Sequence, residues 1–454
     1  MKATDDTTVN VTRVIDDGPV HPFQVFAIIL CSLVAFLDGV DSQSIAVAAP
    51  IIAENLKLAR AALGPIFAAA LLGAAVGALT FGPLGDRFGR KRMLILATVI
   101  FGVFTIATPF ANSYESLLAV RLCAGIGLGG ATPCFIALAT EYAPARRRAM
   151  VASLIWAAFP LGGTVGGFVN SYILSNFGWQ MMFAVGGVLP LIVAAALLIW
   201  LPESLRFLLA RGTESSGIAA IIRRIRPDLP ANARFVSDED RIEGTPLQQL
   251  FASGRAVRTV LLWIPFVATF STLALTLLWT PLLLRDNGIA PAQASIVIGI
   301  HGIGALIGVS GAGRLMERFG VLIILFPALI LGAVSTGLLG YAATSVTSMS
   351  IALFFVGVFV GMGGSGSIAL AALIYPTAIR STGIGWAMGI GRSGQVLAPL
   401  LASAAIAAGW NNIQLFLAVA AAPFIAAFAI MIIQMGKDGV PAGTVVASTR
   451  PASP

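Results

Sequence analysis

Twelve apolar stretches, each about 20 residues long and almost free of charge, recur along this 454-residue chain. They lie near 23–50, 62–82, 93–111, 115–140, 149–174 and 179–201, then near 259–284, 292–313, 321–342, 348–374, 382–408 and 412–435. A helix of that length spans the hydrocarbon core of a bilayer. Backbone placed in lipid must satisfy its own hydrogen bonds, which leaves only helices and closed barrels. Barrel strands would alternate polar and apolar residues over roughly ten positions, whereas these runs are continuous. The charged fraction is 11%, against about 25% in soluble domains. With 49 glycines to let helices approach one another, the expectation is an all-α integral membrane bundle.

Charge supplies the orientation. With both termini placed in the cytoplasm, the tails and the loops on that side hold 23 of the 28 Lys and Arg residues. The opposite loops hold Lys57, Arg60 and Arg285, and the remaining two, Arg121 and Arg392, fall inside spans. This asymmetry follows the positive-inside rule, so the net charge of +8 reflects topology and not a nucleic-acid-binding face. The first residues, MKATDDTTVNVTRVIDDGPV, do not form a cleavable signal peptide. The expected organisation is a cytoplasmic tail (1–22), a six-helix bundle (23–201), a cytoplasmic linker (202–258), a second six-helix bundle (259–435) and a second tail (436–454). Cys31, Cys123 and Cys134 all lie in apolar segments and read as packing residues, and no metal cluster appears.

The two halves echo each other. GPLGDRFG at 82–89 aligns with GRLMERFG at 313–320, and YAPARRR at 142–148 has a weaker echo in YPTAIR at 375–380. Two repeats around a central cavity, with substrate held near the midplane, are a transporter architecture. GIGLGG at 125–130 and GMGGSG at 361–366 satisfy G-x-G-x-x-G literally. A dinucleotide fold would need a soluble strand before each, so close helix packing is expected there. No G-x-x-x-x-G-K-[ST] run exists to bind ATP, and no nucleophile–base pair points to an enzyme.

The first span carries the costliest residues. LDGVDSQSIAVAAP at 37–50 holds Asp38 and Asp41, and an Asp at the centre of a membrane helix costs roughly 2.5–3.5 kcal/mol on an insertion scale. Three residues apart, the two share one helix face about 60° from each other. One reading makes them a cap at a helix break near Gly39. The other makes them a proton-carrying pair that titrates together and faces the cavity. Asp38, Asp41, Arg121 and Arg392 sum to zero charge. An organic anion added alone would leave a buried net charge, which is costly, and one accompanying proton restores neutrality. His301, the one membrane-embedded His, reads either as a packing residue or as a site residue, and Gln395, Trp156 and Asn170 are candidate cavity-lining residues.

GPLGDRFGRK at 82–91 resembles the signature loop of the major facilitator superfamily, and RLCAGIGLGG at 121–130 resembles that superfamily's fourth-helix motif. LPESLRFLL at 201–209 resembles the P-E-S motif of sugar-porter-like branches. LDGVDSQSIAVAAP resembles the D-G-x-D motif of the aromatic acid:proton symporter family. FPLGGTVGG at 159–167 only partly resembles the fifth-helix motif of drug/proton antiporters, because Phe159 stands where a glycine is expected. The resemblance implies the twelve-helix major facilitator fold, with two six-helix pseudo-symmetric halves around a central cavity. It implies a monomer in the bacterial inner membrane that imports a small aromatic carboxylate (benzoate, hydroxybenzoate, protocatechuate or phenylpropanoid type) by proton symport, with no cofactor.

The resemblance also assigns roles. Asp38 and Asp41 carry the proton with Arg121, and Arg392 grips the carboxylate. Asp86, Arg87, Arg90, Lys91, Glu141 and Arg148 form a state-dependent lock at the cytoplasmic gate, with Asp86 central, and Arg206 is a weaker member. The alternatives are transport of another organic anion, drug export, and a non-transporting membrane sensor of such acids.

Overall fold

The computed structural model of the protein describes residues 8–210, 215–226, 234–236, 250–251, 255–375 and 377–435. Among them, 12 helices are long and apolar enough to cross a membrane. In the first half these are α1 (Pro22–Asn55), α2 (Leu63–Phe88), α3 (Arg90–Ala107), α4 (Tyr114–Glu141), α5 (Arg148–Phe177) and α6 (Trp179–Trp200). In the second they are α7 (Ala256–Asp286), α8 (Pro291–Phe319), α9 (Val321–Ala342), α10 (Val346–Ile374), α11 (Thr377–Ala407) and α12 (Asn412–Met435). Large apolar side chains such as Leu79, Phe110 and Leu401 stay exposed on the outside of the bundle, where lipid is their solvent.

The sequence echoes have a local cause. α2 and α8 run about six residues past their apolar stretches, through the charged DRF and ERF segments. Both stop at the glycine that follows, Gly89 with φ 107° and Gly320 with φ 93°. That backbone region is open chiefly to glycine, so the repeated F-G pair marks the same helix stop in each half. Serine caps open α4 and α10, where Ser113 and Ser345 each accept a hydrogen bond from the backbone N–H three residues on.

Glycine also sets the packing. A Cβ on Gly73, Gly77, Gly125 or Gly129 would strike backbone on the facing helix across the α2–α4 contact. Gly304, Gly308, Gly357 and Gly361 do the same between α8 and α10. These are small-residue interfaces that bring helix axes close, repeated in the two halves. Both G-x-G-x-x-G runs therefore lie inside helices and serve packing.

At one end the halves meet. Arg60, before α2, pairs with Asp286 at the end of α7, and Glu54 of α1 pairs with Arg285. Ser403 of α11 donates to the carbonyl of Ala61. Phe67 and Trp279 meet edge-on at 6.0 Å, and Ser295 of α8 donates to the Gly167 carbonyl of α5 at 2.8 Å. These ties between the halves seal the space at the α1–α2 and α7–α8 turns, and none of them lies toward the end that carries residues 82–91, the open end of the bundle.

Residues read as tail and linker are built into the fold where they are described. Thr8–Asn10 pairs in parallel with Arg234–Val236. A short helix at Val11–Asp17 and another at Ser215–Ile225 bury Ile15, Ile218 and Ile222 beside Leu201 and Leu205. Apolar residues spaced by four in IAAIIRRI hold this segment down. The second tail, 436–454, lies outside the described residues.

Candidate functional site

A cavity of about 280 Å³ lies between the halves. Its polar residues begin with the aspartates of α1. That helix is continuous from Pro22 to Asn55, so no break occurs at Gly39. Gly39 has a packing reason instead: a Cβ there would strike the Phe159 carbonyl of α5. The glycine between the acids lets α5 cross α1 closely, and the acids flank that crossing.

The four membrane-embedded charges divide into two unlike pairs. Asp41 Oδ2 accepts from Arg121 Nη2 at 2.9 Å, with both side chains 1% exposed. Thr105 of α3 donates to the other oxygen of Asp41 at 3.3 Å. This pair belongs wholly to the first half, although Nε and Nη1 of Arg121 have no hydrogen-bond partner. Asp38 is less enclosed than Asp41 and lines the cavity beside Ser42. It lies in the field of Arg392 on α11, but the two groups form no ion pair. The carboxylate and the guanidinium belong to opposite halves and line the same cavity.

The walls are aromatic and aliphatic. Trp156 and Phe159 of α5 face in from one half, and Phe266 and Phe270 of α7 from the other. Gly391 and Gly394 let α11 settle against Phe270 and Val267, which fixes Arg392 beside this wall. Gln395 and His301 also line the cavity. Asn170 does not. It sits behind α1, buried, and donates to Ser44 Oγ at 3.0 Å, so its role here is to tie α5 to α1. The sequence reading missed Gln43, which lines the cavity with its Oε1 unpaired. An amide inside an apolar span is itself a signal, a weaker one than the two charges beside it.

The residues expected to form a gate lie toward the end that carries residues 82–91, and Asp86 is not at their centre. Arg90 is the centre. It bonds Asp86 Oδ1 through Nε at 3.1 Å and Nη2 at 2.9 Å, and it pairs with the buried Glu141. Ser204 donates to the second oxygen of Glu141 at 2.7 Å. Asp86 is the exposed member, at 68%. Lys91 donates through its backbone N–H to Glu203 at 2.9 Å and through Nζ to the Leu198 carbonyl at 2.9 Å. Glu203, the acid of the P-E-S motif, thereby ties α3 to the end of α6. Arg87 lies over the ring of Phe88. Arg148 leaves the cluster and pairs with Asp16 of the N-terminal segment at 3.0 Å. Among the described residues, no group of three His, Cys, Asp or Glu side chains could hold a metal ion.

The family model for the Major Facilitator Superfamily matches residues 31–286 and 261–450. The 4-hydroxybenzoate transporter PcaK of Pseudomonas aeruginosa is 33% identical, over 93% of this chain and 95% of the relative. A gallate transporter of Pseudomonas putida is 33% identical over 95% and 96%. The 3-(3-hydroxy-phenyl)propionate transporter of Escherichia coli is 34% identical over 90% and 94%. Among solved structures, a D-xylose-proton symporter superposes with a TM-score of 0.70 at 19% identity, covering 90% of this chain and 97% of its own. That last likeness concerns the fold.

Proposed function

From the premise that this chain belongs to the Major Facilitator Superfamily, we propose that it imports a small aromatic carboxylate together with a proton. Membership makes it a transporter and not an enzyme. One observation carries the finer reading: Asp38 and Arg392 face the same cavity from opposite halves and remain unpaired. A guanidinium in that position suits a carboxylate, which it can grip with two hydrogen bonds. Once an anion occupies Arg392, Asp38 loses the field of its counter-charge and takes up a proton. The loaded cavity is then neutral and can close and reopen on the other side. The empty cavity, with Asp38 charged opposite Arg392, is neutral as well, so both forms can cross. The Asp41–Arg121 pair lies one turn away inside the first half and holds a fixed background for this exchange.

The aromatic walls suit a ring. Relatives named for 4-hydroxybenzoate, gallate and 3-(3-hydroxy-phenyl)propionate support the same substrate class. The distribution of Lys and Arg supports a bacterial inner-membrane protein with both termini in the cytoplasm. In that orientation the cavity opens to the cytoplasm, and the Arg60–Asp286 and Glu54–Arg285 pairs close it to the outside. The proton gradient is the energy source, no cofactor is used, and the unit is a monomer.

The test is uptake of labelled benzoate, hydroxybenzoates, protocatechuate and phenylpropanoid acids into proteoliposomes, with and without an inward proton gradient. Empty liposomes are needed as a control because protonated aromatic acids cross lipid. Gradient-driven uptake above that control supports symport. Folded protein that moves none of these acids overturns the reading.

A further inference from the structure

Two polar groups at the sealed side of the cavity have no partner. Gln43 of α1 is 3% exposed and His301 of α8 is 2% exposed. Gln43 Oε1 and His301 Nε2 are buried without a hydrogen bond, and both residues line the cavity. Buried polar atoms are almost always paired, so an orphan in a native structure asks for an explanation. Here two orphans flank the same turn of α5. A Cβ on Gly163 would come within 3.0 Å of the Gln43 amide, and Gly302, next to His301, packs on Pro160 and Thr164. The absence of a side chain at 163 leaves the Gln43 amide its space beside the cavity.

The cavity that holds the two orphans also holds a cation and aromatic walls. Gln43 lies five residues beyond Asp38, about 7.5 Å further along the helix axis toward the sealed end, and it lines the same cavity as Arg392 and the aromatic walls. A ring whose carboxylate is held at Arg392 can therefore carry its far side toward the sealed end. We propose that Gln43 and His301 form a hydroxyl-reading subsite, which selects aromatic acids bearing a ring hydroxyl remote from the carboxyl. A phenolic hydroxyl there donates to Gln43 Oε1 and meets His301 Nε2, while the carboxylate lies at Arg392. A site built to hydrogen-bond a hydroxyl disfavours the analogue that lacks it, because its polar groups then stay unpaired. The inference rests on the proposed carboxylate transport and adds the specificity of that cavity.

The test is equilibrium binding of benzoate, 3-hydroxybenzoate and 4-hydroxybenzoate to the purified protein and to Gln43→Met, His301→Leu and His301→Gln. The expected result is a preference for a hydroxylated acid that falls by about tenfold in Gln43→Met and in His301→Leu, the worth of one good hydrogen bond. Benzoate affinity stays level, and His301→Gln, which keeps a hydrogen-bonding amide, retains part of the preference. If one variant fails to fold, the other reads the same subsite. An undiminished preference in the folded variants overturns the inference, as does an equal loss for all three acids. So does lowered thermal stability with selectivity unchanged, because the two side chains then serve each other and not the ligand. Equal binding of all three acids to the unaltered protein also overturns it, while leaving carboxylate transport standing. Binding of none of them overturns both.

Discussion

Asp41 and Arg121 form a closed ion pair at 2.9 Å within the first half, each side chain 1% exposed. Asp38, three residues earlier, has no such partner and faces Arg392 across the cavity. The two acids of one motif thus have different work. One is held by a fixed counter-charge, and the other faces the cavity, where the proposed substrate and proton would arrive.

Breaking the closed pair is expected to be a structural injury. Asp41→Asn leaves Arg121 buried and uncompensated, a loss of about 3–5 kcal/mol in comparable pairs. Thermal melting in detergent should therefore fall clearly for Asp41→Asn and much less for Asp38→Asn. Equal melting of the two variants would contradict the division of roles.

Arg392→Lys keeps the charge but loses the planar two-bond grip. Apparent affinity for every transported carboxylate is expected to fall by about tenfold or more, measured by concentration dependence of uptake. Unchanged affinity would place the carboxylate elsewhere.

The seal at the α1–α2 and α7–α8 turns, which the proposed orientation places outside, includes two surface ion pairs, Arg60–Asp286 and Glu54–Arg285. Each such pair is worth about 0.2–1 kcal/mol. Arg60→Ala combined with Arg285→Ala should therefore shift the population toward the outward-open form about fivefold. In a background lacking the three native cysteines, Thr280→Cys reports this by faster labelling from outside with an impermeant maleimide. High salt should produce a weaker version of the same change.

At the open end, Arg90 bridges Asp86 and the buried Glu141. Arg90→Ala should lower stability by about 2–3 kcal/mol, because the buried Glu141 loses the Arg90 guanidinium. Asp86→Asn, at an exposed position, should leave melting within about 0.5 kcal/mol while slowing transport turnover. Loss of substrate binding in Asp86→Asn, with access states unchanged, would contradict a gating role.

Packing gives a paired comparison. Gly129→Ala drives a methyl into the backbone at Ala74 and should cost about 1–3 kcal/mol. Gly385→Ala meets nothing within 4 Å and should be neutral or gain up to about 1 kcal/mol from helix propensity. Melting temperatures of the two variants decide it.

The twelve spans and the doubled architecture were legible because lipid imposes one rule on every backbone group and because Gly89 and Gly320 leave the same F-G mark in each half. Asp38, Asp41, Arg121 and Arg392 were legible because charge inside apolar runs is costly. How those four pair was not, since α1, α4 and α11 meet only in three dimensions. The same holds for Arg148, which turned to Asp16 and away from Glu141, and for Asn170, which faces Ser44 behind the cavity wall. Gln43 went unread because an amide breaks an apolar pattern less sharply than a carboxylate does.

The central claim is that Asp38 carries the proton while Arg392 holds the anion. It is tested most directly by recording internal pH in proteoliposomes on addition of a transported aromatic acid, with empty liposomes subtracted. The unaltered protein is predicted to acidify the interior. Asp38→Asn is predicted to lose that proton entry while still exchanging labelled for unlabelled acid across the membrane. Proton entry undiminished in Asp38→Asn would contradict the account.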